Sequence, residues 1–153
     1  MNTTKSIFLE MSQNKILFTT IYSWIIAQVI KVIIGVIKEK RFNFRWFVGT
    51  GGMPSSHAAG VSALTIAVGL RYGFNSGLFA VTAVFTLIVL FDAQGVRRAS
   101  GQQAGVLNKM LDDIYWKHRI HEDRLKELLG HAPLEVYTGM ALGIVIAILL
   151  WHM

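Results

Sequence analysis

Long runs of apolar residues alternate with short polar segments along most of the chain. Four runs are predicted to form helices, at residues 16–37, 54–70, 77–91 and 134–151. A helix needs about 20 apolar residues to cross a bilayer, so the second and third runs are short for a full crossing. We predict an all-α fold, an integral membrane helical bundle of about four transmembrane helices.

A polar insert, residues 92–130, separates the third apolar run from the fourth. Apolar side chains recur there at helical spacing, at Ala104, Leu107, Leu111 and Ile114. A second amphipathic pattern ends at Gly130, a residue that favours helix ends. We therefore predict an amphipathic helical insert on or outside the bilayer, within a single membrane domain of residues 1–153.

Small residues four positions apart mark two of the predicted helices. They are Ala59, Ala63 and Ala67 in the second helix and Gly139 and Gly143 in the fourth. Small side chains let helix backbones approach closely in a membrane. We expect both sets to pack helices of one chain together, with a homodimer through Gly139 and Gly143 as the alternative.

The composition agrees with a membrane protein. Hydrophobic residues make up 53% of the chain and charged residues only 16%, against roughly 25% charged residues in soluble domains. The net charge of +6 indicates an anionic partner, either nucleic acid or phospholipid. No aromatic platform accompanies the basic residues, so we expect lipid headgroups and no nucleic acid. With no cysteine, disulfides and a thiol nucleophile are excluded.

The basic residues are distributed unequally between the two sides of a four-span bundle. Three of them share the side of the termini: Lys5, Lys15 and Arg71. Eleven fall in the connections after the first and third spans, on the opposite side. The positive-inside tendency places that second side in the cytoplasm. We expect an integral protein of a bacterial inner membrane or another plasma membrane.

The remaining basic residue, Lys31, lies inside the first predicted helix. A charge at this depth is costly unless it faces the bundle interior and meets an anion or a carboxylate. We expect the interior position, and the alternative is that Lys31 extends toward the interface.

The segment Gly51-Gly52-Met53-Pro54-Ser55-Ser56-His57 ends a loop and opens the second helix. Free N–H groups at a helix start, beside the hydroxyls of Ser55 and Ser56, form an anion site. His57 is placed to give a proton to the leaving oxygen of a phosphate ester. The alternative is an ordinary helix cap with an interfacial histidine.

The segment His131-Ala132-Pro133-Leu134-Glu135 repeats this design at the fourth helix. Glu135 follows His131 by one helical turn, where its carboxylate can fix the imidazole tautomer and favour attack on phosphorus. A capping histidine beside a first-turn glutamate is the alternative.

Arg97 and Arg98 follow the third span on the side that carries both histidine motifs. Paired arginines at a membrane edge are commonly interface anchors, but guanidinium groups also hold phosphoryl oxygens well. The convergence of two histidines, a carboxylate and several cations on one membrane face favours phosphate chemistry. His118 and His121 are predicted to lie on a solvated face, and we predict no metal site.

These segments resemble the membrane-bound type-two phosphatidic acid phosphatases, specifically their divergent branch, related to acid phosphatases and vanadium-dependent haloperoxidases. Residues 27–31, 51–57, 92–104 and 128–136 carry the resemblance, which covers nearly the whole chain. The family's Pro-Ser-Gly-His motif is similar to residues 54–57, with Ser56 in place of glycine. Its later His, followed four residues on by Asp, is similar to His131 and Glu135. The Ser-Arg that precedes that His is missing here.

The resemblance implies a phosphatase without a cofactor that acts on a phospholipid or prenyl phosphate. His131 would be the nucleophile, Glu135 its orienting carboxylate and His57 the acid. Phosphate-binding residues would come from Lys31, Ser55, Ser56, Arg97 and Arg98. The alternative function is an inactive membrane protein that binds lipid phosphate headgroups or acts as a scaffold. Haloperoxidase chemistry in the same pocket is a third alternative.

Overall fold

The computed structural model describes residues 3–40, 52–95, 103, 105–108, 110–111 and 133–153. Its helices are α1 (Thr3–Ser12), α2 (Lys15–Glu39), α3 (Ser56–Tyr72), α4 (Gly77–Gln94) and α5 (Pro133–His152). The described residues between 103 and 111 are also helical, and no strand occurs in the described part of the chain. The all-α prediction is confirmed, and α2 to α5 match the four apolar runs within a few residues. The sequence did not predict α1.

Polar caps explain where three of the helices begin. The side-chain oxygen of Asn14 accepts a hydrogen bond from the Leu17 N–H at 3.0 Å. The Ser55 hydroxyl accepts from the Ala58 N–H at 3.3 Å, and the Ser76 hydroxyl caps α4 in the same way. Such caps satisfy N–H groups of the first turn that have no partner within the helix.

The bundle buries many polar side chains among small apolar ones and exposes large apolar side chains. Its buried polar side chains include Thr19, Ser23, Gln28, Lys31, Thr65 and Thr86. Its exposed side chains include Ile33, Val81, Ile88, Phe91, Val145 and Leu149. A soluble protein rarely exposes so much contiguous apolar surface, whereas lipid chains solvate it without cost. The surface is therefore that of a membrane protein.

Among the described residues three helices, α2, α4 and α5, are long and apolar enough to cross a membrane. The helix α3 has 17 residues, which corresponds to a length of about 26 Å. It is the central helix, because it packs against α2, α4 and α5, while α4 has only a small contact with α5. The polar insert between α4 and α5 lies largely outside the described residues.

The closest helix contact joins α3 and α5 through two glycines. A Cβ atom on Gly139 would collide with the carbonyl oxygen of Ser55, and one on Gly143 with the carbonyl oxygen of Ala59. The three alanines predicted to pack are fully buried: Ala59, Ala63 and Ala67. The expected packing within the chain is confirmed for both sets of small residues.

Hydroxyl groups join α3 to α4. The Thr65 and Thr86 hydroxyl oxygens lie 2.7 Å apart. The Thr65 hydroxyl is also 3.0 Å from the carbonyl oxygen of Thr82, and the Thr86 hydroxyl is 2.9 Å from that of Val61. These contacts cross between two helices that otherwise present small and apolar side chains.

We expect Thr86→Val to lower the free energy of unfolding by about 1 kcal/mol, the usual size of an interhelical hydrogen bond in a membrane. Thr82→Val is the matched control, because the Thr82 hydroxyl bonds only to Leu78 and Phe79 of its own helix. Unfolding of both variants in mixed micelles measures the difference. Equal losses in the two variants would contradict a role of Thr86 in joining the helices.

Candidate functional site

Two of the sequence motifs meet at one end of the bundle. The Ser55 backbone N–H donates a hydrogen bond of 2.9 Å to the carbonyl oxygen of Glu135. Ser55 caps α3, and Glu135 lies in the first turn of α5. The hydrogen bond therefore places the N-termini of α3 and α5 side by side.

The end of α4 lies at the same place. Ala58, Ala93 and Val136 form a buried apolar cluster with Leu90 packed against it. These residues come from the first turn of α3, the last turn of α4 and the first turn of α5. Half-buried Asp92 precedes Ala93 directly and belongs to this end of the bundle. The motif that contains Asp92 therefore begins beside the other two.

Lys31 lies buried in the bundle, with 7% of its surface exposed. Its Nζ atom donates a hydrogen bond of 3.2 Å to Oε1 of Gln28, and its ammonium group interacts electrostatically with Glu135. The expectation that Lys31 faces the interior is confirmed. Gln28 is a site residue that the sequence reasoning missed, although its position one turn before Lys31 was a usable signal.

Gly52 covers the aliphatic part of Lys31. Its φ of +88° suits glycine. A Cβ atom there would lie 3.4 Å from Cγ and 3.5 Å from Cδ of Lys31. The loop before α3 therefore contacts the Lys31 side chain through Gly52.

Ser55 and Ser56 are both buried, at 0% and 3% exposure. The Ser55 hydroxyl accepts from the Ala58 N–H and the Ser55 N–H donates to Glu135, so Ser55 works as a cap and a link between helices. An anion at the start of α3 would find the Ser55 amide engaged. Ser56 is the remaining candidate of the two for direct anion binding.

His57 is exposed on the outer side of α3. It lines a cavity of about 350 Å³ to which α2, α3 and α4 contribute. The imidazole is thus at the same end of α3 as Ser55 and Ser56 and borders the outer surface of the bundle. This position is open to a ligand that approaches from the lipid.

The described residues together form a site with positive character. A buried ammonium group and the N-terminal ends of two helices lie at one end of the bundle, and helix N-termini attract anions. Glu135 provides one carboxylate. No three potential metal-ligating side chains come together among the described residues. The predicted site residues His131, Arg97 and Arg98 lie outside the described residues, as do His118 and His121.

Comparison with known proteins assigns the family. The sequence model of the Divergent PAP2 family matches residues 12–146, a range that includes every candidate site residue. The chain is 41% identical to the "Uncharacterized membrane protein YuiD" of Bacillus subtilis (strain 168), over 93% of this chain and 97% of the relative. No solved structure matches the chain. The buried polar side chains, the apolar surface and these two matches show that the chain is a membrane protein that belongs to the Divergent PAP2 family.

Proposed function

We propose that this protein is a membrane phosphatase that hydrolyses the phosphomonoester or pyrophosphate group of a phospholipid or prenyl lipid. The observation that carries the proposal is the buried side chain of Lys31, which interacts electrostatically with Glu135 at the end of the bundle where the N-termini of α3 and α5 are hydrogen-bonded together. A buried cation in a membrane bundle usually marks a functional site.

The electrostatics of this end suit a phosphoryl group. In the proposed site Lys31 is protonated and places its charge in a region of low dielectric constant, where attraction to an anion is stronger than in water. The N-termini of α3 and α5 each add a partial positive charge. Ser56 lies in the first turn of α3, beside the position that such an anion would occupy.

The proposed reaction has two steps. A nitrogen of His131 attacks phosphorus, the bond from phosphorus to the lipid oxygen breaks, and His57 gives its proton to that oxygen. Glu135 holds the His131 ring, while Lys31, Ser56 and an arginine from the pair Arg97 and Arg98 stabilise the phosphoryl oxygens. His57 then takes a proton from water, which attacks phosphorus, breaks its bond to His131 and releases phosphate. No cofactor takes part.

In this proposal α3 crosses the membrane with α2, α4 and α5, within one domain of residues 1–153. Its central packing and buried alanines support this, since a helix surrounded by three apolar helices spans with them. The site then lies on the side that carries eleven of the basic residues, which we place in the cytoplasm.

The topology is testable with single cysteines, because the natural chain has none. We expect Asn2→Cys and Ser100→Cys to react with a membrane-impermeant maleimide from opposite sides, with Ser100→Cys labelled only after the membrane is opened. Labelling of both cysteines from the same side of sealed cells would contradict the four-span arrangement.

The second candidate function is a non-catalytic protein that binds lipid phosphate headgroups. One observation favours it: the Ser55 amide is bonded to Glu135, which removes a donor from the anion site. Vanadate separates the two functions, because it copies the five-coordinate transition state of phosphoryl transfer. We expect tight vanadate binding that requires both His57 and His131; lipid binding without a vanadate response would favour the non-catalytic function.

Lys31 should contribute strongly to vanadate binding. We expect Lys31→Met to weaken it by roughly tenfold or more, since the variant loses the buried positive charge that faces the anion. Lys38→Met is the matched control, because Lys38 is exposed in the last turn of α2. Titration calorimetry gives both dissociation constants. Equal affinities in the two variants would exclude Lys31 from the anion site.

A further inference from the structure

An apolar groove runs along the outer surface of α3 between α2 and α4. It has a volume of about 350 Å³. The residues that shape it are Ile21, Trp24, Gly60, Leu64 and Phe85. Trp24 is 43% exposed and Phe85 is 49% exposed, so the groove opens to the outside of the bundle, where the lipid lies.

Polar groups are nearly excluded from this groove. The Thr20 hydroxyl, which belongs to the lining, donates to the Ile16 carbonyl oxygen of its own helix at 2.9 Å. His57 is the one titratable residue of the lining. The groove is therefore apolar along its length and carries a single titratable group at one end.

That end of the groove lies at the end of α3 that carries Ser55 and Ser56. His57 lies in the first turn of α3, next to Ser56, while Gly60 and Leu64 follow about one and two turns further along the helix. A ligand that fills the groove thus extends from His57 into the apolar interior of the membrane. Such a ligand has one polar end and one long apolar part.

We propose that the groove binds one hydrocarbon chain of the phosphate-bearing lipid and so holds its headgroup at His57. This inference rests on the proposed function and deepens it, because it selects long-chain lipid phosphates over soluble phosphate esters. Gly60 is the specificity-determining position. A Cβ atom added at Gly60 would lie 3.7 Å from Cβ and 3.9 Å from Cδ1 of Trp24. A larger side chain at this position therefore enters the groove.

Photo-crosslinking tests this without any need for turnover. The probe is a phosphonate analogue of phosphatidic acid with a diazirine in one acyl chain, added to the purified protein in lipid-detergent micelles. We expect crosslinks at Ile21, Leu64 and Phe85, located by mass spectrometry of peptides. Excess unlabelled phosphatidic acid should displace the probe, and the same amount of diacylglycerol, which has no phosphate, should not.

Two leucine variants complete the test. We expect Gly60→Leu to lower the crosslinking yield in the groove by about tenfold. Gly77→Leu, the matched control, should keep the yield, because a Cβ atom at Gly77 would meet nothing within 4 Å. Thermal unfolding shows whether both variants are folded. If Gly60→Leu does not fold, Gly60→Ala replaces it, because a Cβ atom at this position only makes an ordinary contact with Trp24.

The possible results test lipid binding in the groove and phosphatase activity independently. Crosslinks in the groove that diacylglycerol displaces equally well would mean an ordinary bilayer lipid and would overturn the proposal, as would crosslinks confined to other surfaces or to a second copy of the chain. Groove crosslinks specific for phosphate, in a protein that releases no phosphate, would support the groove while the phosphatase function failed. Phosphate release without crosslinks in the groove would support the phosphatase function and overturn the proposal for the groove.

Discussion

Replacing His131 with alanine is expected to reduce phosphate release from lipid phosphates by at least about a thousandfold, the scale of loss seen when a covalent nucleophile is removed. The expected cause is the loss of the nitrogen that attacks phosphorus. Glu135 supports this role, since it follows His131 by four residues in the sequence, lies in the first turn of α5 and interacts electrostatically with Lys31. Release of inorganic phosphate from phosphatidic acid, phosphatidylglycerophosphate and prenyl pyrophosphates measures the effect.

His152→Ala is the matched control for this prediction. His152 is exposed in the last turn of α5, at the opposite end of that helix from Glu135. Its loss should leave the rate of phosphate release unchanged. Turnover by His131→Ala at the rate of the unaltered protein would exclude the proposed nucleophile, whatever the other variants do.

The second large effect is expected at Gly143. Gly143→Leu places a side chain where the backbone of Ala59 already lies, so α3 and α5 must separate. We expect the free energy of unfolding to fall by about 3 kcal/mol, the upper part of the usual range for overpacking. Separation should also break the hydrogen bond from the Ser55 N–H to Glu135, and vanadate binding should weaken with it.

Gly77→Leu controls for the apolar bulk added by this change, because the surroundings of Gly77 are open. Unfolding in mixed micelles and vanadate titration should both show the control unchanged. If Gly143→Leu were as stable as Gly77→Leu, the tight contact between α3 and α5 would be wrong, and the placement of Glu135 beside α3 would lose its basis.

The sequence was sufficient for the positions of α2 to α5, because each is a continuous apolar run bounded by polar residues or glycines. It was insufficient for α1, whose ten residues form neither a span nor a clear amphipathic pattern. The interior position of Lys31 was predictable from the cost of a charge in lipid. Its partner Gln28 was visible as a polar interruption of the same run, but only the structure shows that the two side chains are bonded.

The sequence placed the motifs on one membrane face, but it could not predict the direct contact between them. Nothing in the local pattern shows that the Ser55 amide is bonded to the Glu135 carbonyl, because that bond depends on two glycines of α5 that allow its close approach to α3. The groove beside His57 could not be predicted from the sequence either, since its residues Trp24, Gly60 and Phe85 come from three helices. The sequence predicts candidate site residues, and the packing of small residues brings two of them, Ser55 and Glu135, together.

A phosphorylated histidine is the most direct sign of the proposed mechanism. The purified protein is mixed with a lipid phosphate labelled with ³²P, quenched in alkali within one turnover and digested for mass spectrometry. The account predicts an alkali-stable, acid-labile phosphoryl group on His131, absent from His131→Ala and present in His152→Ala. Phosphate release with no label on His131, or with the label on another residue, would contradict it.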